Sequence, residues 1–159
     1  MAIVKGTNSY VELAEATAYF TDRLDVDAWD TASDIRKGQA LVTAALYLND
    51  MKWVGTIANE SQTLAFPRNG VYFDPTMGTD IVLDSTKVPT RIINANYELA
   101  YHLLNNDGLL DDTGQVDELS IGSIKLKKVD APNSLPSSVY RIIKPLLING
   151  GARMWWKAN

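Results

Sequence analysis

The sequence predicts a mainly α-helical protein: a small bundle of about four helices with a long central loop or hairpin and one or two short β-strands. Three observations predict it. Apolar residues recur at helical spacing in several segments, most clearly at 33–48. Glycine and proline interrupt the chain repeatedly between residues 54 and 88. Apolar and polar residues alternate within 119–129, which is typical of a strand.

The first helix is predicted to begin at Ser9 or a few residues later, near Leu13. Ser9 and Glu12 have the spacing of a capping box, in which each residue satisfies a free backbone amide of the other. The acidic stretch 25–30 that follows is predicted to be a connector. Trp29 within it is expected to anchor this connector against the first two helices.

The second helix, residues 33–48, is predicted to carry the central core. Ile35, Leu41, Ala45 and Leu48 indicate one buried face, and either Thr31 or Ser33 is a candidate cap. A polar loop follows this helix. Its predicted anchors lie at its two ends: Trp53, Phe66, Pro67 and Arg68.

Two short apolar runs, 71–73 and 81–83, predict a hairpin inside the long central connection. Tyr72 and Phe73 of this hairpin are predicted to contact another subunit or a tail protein. Pro89 suits the first position of a third helix that extends to about Asn105. The predicted buried side of that helix consists of Ile92, Ile93, Asn96, Leu99, Ala100, Leu103 and Leu104.

The segment 119–129 is predicted to form a strand that pairs with other strands, the 71–83 hairpin being the candidate. Its polar positions include Lys125 and Lys127, which are also predicted to contact a subunit or tail protein. A last helix is predicted over 136–147. Pro145 lacks an amide hydrogen, so this helix should bend or end there.

Length and composition indicate one domain and exclude several kinds of site. A chain of 159 residues with 46% hydrophobic residues can bury a core, predicted to span residues 1–147 and to be followed by a flexible docking tail, 148–159. The absence of cysteine excludes disulfides and thiolate metal sites, and a single histidine excludes a multi-histidine site. We expect no cofactor, no membrane span and no signal peptide, and therefore a protein that stays in the cytoplasm where it is made.

Charge is distributed unevenly along the chain. Residues 1–119 carry 8 Lys or Arg and 18 Asp or Glu, a net charge of −10, whereas residues 120–159 have a net charge of +6. One interpretation is that the two parts form solvated faces of opposite charge. The other is self-association, in which the basic part of one copy contacts the acidic part of the next in a heterologous contact that closes into a ring. The acidic body argues against a broad nucleic-acid surface.

The C-terminal segment is predicted to be an interface with the portal or another subunit. Adjacent tryptophans lie between two cations there, after the Gly150-Gly151 pair. Exposed tryptophan requires cover, and Trp and Arg dominate interface energetics. The alternative is that this segment folds back onto its own core. The predicted interface residues are Arg153, Met154, Trp155, Trp156 and Lys157.

We find no arrangement of residues that predicts catalysis. His102 lies beside Tyr101 and Leu103 in a predicted helix and is expected to be structural. The paired acidic residues at 25–27 and 111–112 lack the ligand spacing of an EF-hand and are expected to be solvated. Five basic residues could contact nucleic acid, but we expect no aromatic side chains interleaved with them, as a single-strand stacking platform requires: Lys125, Lys127, Lys128, Arg141 and Lys144.

Several segments resemble small proteins of tailed bacteriophages. The resemblance spans roughly residues 8–147, and the turn after the second helix is its most specific mark. The residues that carry it are Asn8-Ser9-Tyr10-Val11, Lys37-Gly38-Gln39-Ala40-Leu41, Lys52-Trp53-Val54-Gly55, Gln62-Thr63-Leu64-Ala65-Phe66-Pro67-Arg68-Asn69-Gly70 and Val88-Pro89.

The group resembled is often labelled DnaT-like single-stranded-DNA-binding protein and is also similar to phage head–tail adaptors, also called head-completion or connector proteins. The resemblance implies a structural virion protein that forms a ring, usually a dodecamer, under the portal. Its implied partners are the portal, other copies of itself and a tail or neck protein, with genomic DNA passing through without specific binding. The alternative function is that of a single-stranded-DNA-binding accessory protein.

Overall fold

The computed structural model describes residues 2–106, 108, 118–121, 124–127 and 135–148, with 118–121 and 124–127 described by their backbone alone. The helices in this part of the chain are α1 (Leu13–Thr21), α2 (Asp27–Thr31), α3 (Asp34–Asn49), α4 (Thr90–Asn105) and α5 (Ser137–Ile143), followed by a 3₁₀ turn (Lys144–Leu146). The strands are β1 (Thr56–Ile57), β2 (Arg68–Asn69), β3 (Val71–Asp74), β4 (Thr79–Val82), β5 (Glu118–Ile121) and β6 (Ile124–Lys127).

The prediction of a mainly helical bundle is wrong, because the fold is mixed α and β. The described strands form three separate antiparallel pairs, β1 with β2, β3 with β4 and β5 with β6. Each strand has only two to four residues, too few for an alternating pattern to stand out. The glycines and prolines that predicted an irregular loop instead lie largely at turns between these strands.

The predicted strand 119–129 is two strands rather than one. β5 and β6 form a hairpin in which Ile121 pairs with Ile124 and Glu118 with Lys127. The predicted pairing of this segment with the 71–83 hairpin is also wrong, because β3 and β4 pair with each other. That hairpin itself is confirmed, with Val71 opposite Val82.

Helices α3 and α4 pack against each other and form the centre of the core. Leu41, Ala45 and Leu48 of α3 are buried against α4, as predicted. Ser33 caps α3 by accepting a hydrogen bond from the Arg36 amide at 3.4 Å. The core also contains the predicted α4 residues Ile92, Asn96, Leu99, Ala100 and Leu103, while Ile93 and Leu104 are partly buried against it.

Ile35 was predicted to share this buried face, and that prediction is wrong, since Ile35 is 73% exposed. A spacing of six residues rotates the side chain about 600°, which leaves Ile35 about 120° away from the face of Leu41. Only spacings of three, four and seven keep side chains on one face.

Asn96 is a fully buried polar residue that joins three parts of the fold. Its side-chain amide donates to the Leu41 carbonyl of α3 at 3.0 Å. Its side-chain oxygen accepts from the Tyr10 amide of the N-terminal segment at 3.3 Å. This amide therefore fixes the N-terminal segment and α3 relative to α4.

The N-terminal helix starts at the later of the two predicted positions. The capping box is formed by Glu12 and Glu15, not by Ser9 and Glu12. Ser9 is buried, and its hydroxyl donates to the Val11 carbonyl at 2.8 Å. Further along α1, burial and the neighbouring Glu98 carboxylate raise the pKa of Tyr19 to about 12.

The acidic stretch 25–30 contains the short helix α2, which the sequence interpretation missed. Five residues are too few to show a helical period. Trp29 on this helix is buried, with its ring centroid 4.5 Å from that of Phe20 in α1. It also lies near α4, to which α2 packs.

Helix α5 ends close to Pro145, as predicted. α5 stops at Ile143, and the chain continues through the 3₁₀ turn. Leu147 then forms an antiparallel bridge with Trp53. Pro89, by contrast, is the N-cap of α4 and not its first helical residue.

Candidate functional site

The β3–β4 hairpin presents an apolar face to solvent. Val71 and Phe73 of β3 are 54% and 56% exposed, and Val82 of β4 is 74% exposed. Met77 at the tip is 71% exposed. Since successive residues of a strand point to opposite faces, Tyr72 and Asp74 lie on the other side, towards the body. An apolar face of this kind on a folded domain is a candidate interaction surface.

A partly buried ion pair attaches this hairpin to the helices. Asp74 accepts two hydrogen bonds from Arg91 of α4, at 2.7 Å from Nη2 and 3.0 Å from Nε. Arg91 also donates to the Ile142 carbonyl of α5 at 3.2 Å. The forked guanidinium therefore connects the hairpin, α4 and α5 at one point.

The Asp74 carboxylate is surrounded by donors. The Tyr72 hydroxyl donates to it at 3.1 Å and the Thr76 amide at 2.8 Å. These bonds, with that from Arg91 the strongest, hold the pKa of Asp74 well below its usual range. The same carboxylate raises the pKa of Arg91. These contacts attach the inner face of the hairpin to the body, while its opposite face is exposed.

Asp74 and Arg91 were missed by the sequence interpretation, although one signal was present. Arg91 lies in the first turn of α4, where the positive end of the helix dipole disfavours a cation. A cation at such a position indicates a specific anionic partner. The sequence does not say which carboxylate that is.

A second cluster closes the loop between α3 and β2. The Trp53 and Phe66 rings are buried edge to face with centroids 5.1 Å apart. The Trp53 indole donates to the Leu48 carbonyl at 2.8 Å. Arg68 donates to the carbonyls of Val54 at 2.9 Å and Gly55 at 2.7 Å, and also to that of Ala65.

Gly55 is required at the base of this loop. Its φ is +72°, and a Cβ there would lie 2.0 Å from the Asn69 carbonyl oxygen. Two backbone segments therefore meet at a distance that only glycine allows. Pro67, the remaining predicted loop anchor, is half-buried beside Phe66.

An open groove of about 860 Å³ lies between the hairpin and the 3₁₀ turn. Phe73 lines one side, and Pro145 lines the other. The remaining lining residues are Val54, Val71, Tyr72, Pro75, Asp80, Lys144, Leu147 and Ile148. The groove is therefore largely apolar, with one carboxylate and one ammonium at its margin.

The predicted interface residues fall in different parts of the chain. Tyr72 and Phe73 both line the groove, Tyr72 being half-buried and Phe73 exposed. Lys125 and Lys127 lie on β6, and their side chains are outside the described part. The predicted C-terminal interface, residues 153–157, also lies outside the described residues, so its role stays a prediction.

The described residues contain no group of three or more His, Cys, Asp or Glu side chains that could hold a metal ion. The single histidine, His102, lies in α4 with its Nδ1 3.0 Å from the Asn106 side-chain nitrogen. Among the described helices, none has the length and apolar character needed to cross a bilayer.

A family model described as "Putative DnaT-like ssDNA binding protein" matches residues 2–158. The chain belongs to this family. No curated protein and no solved structure matches it. The family match covers the body and the C-terminal segment alike, and it carries no statement about phage head–tail adaptors.

Proteins that bind single-stranded nucleic acid generally use exposed aromatic rings beside cations. This requirement can be compared with the surface of this DnaT-like family member. The described part offers one such place, on α5, where Tyr140 is 42% exposed. Arg141 lies next to it in sequence and Lys144 lies one turn further along, so the expectation that no aromatic side chain accompanies these cations is wrong at Tyr140. Phe73, the other exposed ring, pairs across the hairpin with Asp80, whose charge opposes phosphate.

Proposed function

We propose that this DnaT-like family member is a structural virion protein, a head–tail adaptor that forms a ring under the portal and extends the DNA channel. The observation that carries the proposal is the exposed apolar face of the β3–β4 hairpin. Val71, Phe73 and Val82 stand on an acidic body and are held in place by the Asp74–Arg91 pair. A rigid apolar projection suits a permanent contact between subunits or with a tail protein.

The acidic body supports the same proposal. Residues 1–119 have a net charge of −10. An acidic wall repels phosphate, so genomic DNA can pass along it without adhering. The proposed location is the neck of the virion, after synthesis in the host cytoplasm, and no membrane or catalytic step is involved.

The C-terminal segment is proposed to bind the portal. Trp155 and Trp156 supply large apolar surface, and Arg153 and Lys157 supply charge. Side chains of these types dominate binding energy at protein interfaces. The hairpin and this segment then serve two different contacts, one between neighbours and one with the portal.

Electron microscopy of the purified protein, alone and with its portal, tests the proposal. Rings are expected on the portal. Phe73→Ser should reduce ring formation, whereas Leu24→Ser should not, because Leu24 is equally apolar and 90% exposed but lies outside the hairpin. Trp155→Ala with Trp156→Ala should abolish portal binding. Particles that lack this protein in the neck would end the proposal.

Single-strand binding is the second candidate, favoured by the family description and by Tyr140 with its neighbouring cations. Fluorescence anisotropy with a labelled oligonucleotide tests it. Binding through this surface should weaken steeply with salt, and Tyr140→Ala should reduce it at every salt concentration. No binding at low salt would remove this candidate.

A further inference from the structure

We propose that the groove between the β3–β4 hairpin and the 3₁₀ turn is a binding site for the C-terminal segment of the same chain, residues 152–157. This site goes beyond the adaptor function and needs neither a portal nor DNA. It gives the two tryptophans a place in the free protein.

The chain leaves the described body at the groove itself. Ile148, the last described residue, is one of the groove's lining residues. Trp155 follows seven residues later and can lie up to about 25 Å away in extended chain. Gly150 and Gly151 lie between them and allow the backbone to reverse direction. A tethered segment of this length has an effective concentration in the millimolar range.

The chemistry of the segment matches that of the groove. Val71, Phe73, Pro145 and Leu147 offer apolar and aromatic surface to Met154, Trp155 and Trp156. Asp80, on the groove margin, makes no ion pair with any described residue and can accept Arg153 or Lys157. The groove volume of about 860 Å³ lies within the range of roughly 300–1,000 Å³ that holds compact ligands.

The tethered segment is favoured over a second copy by its concentration. A separate chain must reach millimolar concentration to compete with an occupant that starts at the groove's edge. Under this proposal the portal, where present, displaces the segment from its own groove. The aromatic side chains are thereby covered before assembly, in agreement with the general scarcity of exposed tryptophan.

Disulfide trapping tests the proposal directly, because the natural chain has no cysteine. The full-length variant Phe73→Cys with Trp156→Cys, which retains Trp155, should cross-link within one chain under mild oxidation. Its rate should exceed that of a control pair, Leu24→Cys with Trp156→Cys, by roughly tenfold or more. Val71→Cys with Trp156→Cys provides a second pair if the first variant folds poorly.

The cross-linked product shows whether the groove holds the C-terminal segment of the same chain or that of a second copy. A cross-linked monomer of altered gel mobility supports the proposal. Cross-linked dimers without the monomer product would show that the segment of a second copy occupies the groove, and would overturn it. Cross-linking no faster than in the control pair would also overturn it. None of these outcomes depends on portal binding, so the adaptor proposal stands or fails separately.

A fluorescence measurement provides an independent readout. Trp29 and Trp53 are buried, so acrylamide accessibility reports chiefly on Trp155 and Trp156. Phe73→Asp should increase the quenchable fraction of the emission, and Leu24→Asp should leave it unchanged. Equal quenching in both variants and in the natural protein would contradict the site.

Discussion

Replacing Asn96 by alanine tests the buried polar link at the centre of the fold. The substitution removes a hydrogen bond to the Leu41 carbonyl at 3.0 Å and one from the Tyr10 amide at 3.3 Å. Each buried group left without a partner costs about 1–3 kcal/mol. The Leu41 carbonyl still accepts its hydrogen bond within helix α3. Removing the bond from Asn96 to this carbonyl should therefore cost an amount at the low end of that range.

The net effect of Asn96→Ala follows from these contributions. Because alanine has a higher helix propensity than asparagine, the substitution also stabilises helix α4 by up to about 0.7 kcal/mol. We therefore expect a loss of about 1–3 kcal/mol in the free energy of unfolding. For a domain of this size the midpoint of thermal unfolding should fall by about 2–12 °C. Urea unfolding followed by circular dichroism measures the first quantity, and calorimetry measures the second.

Asn94→Ala is the matched control, since Asn94 lies two residues earlier on α4. Its side chain makes no hydrogen bond with a described residue, and the change in helix propensity is the same. Its stability should change by no more than about 0.5–1 kcal/mol. If the two variants unfold at the same urea concentration, the two buried bonds do not stabilise the fold and this account of the core is wrong.

Three further predictions concern the hairpin and the loop. Trp53→Phe removes the indole hydrogen bond to the Leu48 carbonyl, which still accepts from the Met51 amide at 3.3 Å. We therefore expect a loss of about 0.5–1.5 kcal/mol in the free energy of unfolding, and an unchanged urea midpoint would refute this. Gly55→Ala should lower the melting temperature more than Gly78→Ala. Both glycines have positive φ, but only at Gly55 would a Cβ lie 2.0 Å from a carbonyl oxygen. Equal decreases in melting temperature would exclude the clash. Arg91 lowers the pKa of Asp74 from 3.8, so the stabilising effect of this carboxylate is complete above about pH 5. The effect starts to decline near the unfolded-state value of 3.8 and is lost as pH falls further, through the lower folded-state pKa. Between about pH 5 and pH 3 the melting temperature of the natural protein should therefore fall more than that of Asp74→Asn, and parallel curves would contradict the assignment.

The sequence predicted those elements whose signals are local and long enough to repeat. Helices α3 and α4 have 16 residues each, so their apolar periods identified most of the buried face. The Ser33 cap and the end of α5 at Pro145 depend on single residues with specific backbone chemistry. Such positions can be identified without knowledge of the tertiary fold.

The missed features depend on contacts between distant residues or on elements too short to repeat. The Asp74–Arg91 pair joins residues 17 apart across a hairpin, and no local pattern links them. The strands β1 and β2 have two residues each, so pairing alone defines them. The groove arises from the hairpin and the 3₁₀ turn together, which is why Phe73 was identified as a contact residue but the opposite wall was not.

The bridge between Trp53 and Leu147 has a mechanical consequence. The Val54 amide donates to the Leu146 carbonyl and the Ile148 amide to the Lys52 carbonyl, both at 2.9 Å. A pulling force applied at residue 148 acts on these two hydrogen bonds before it reaches α5. The force is therefore transmitted to Trp53, whose indole is buried beside the end of α3. Helix α5 is thereby protected from unfolding under load.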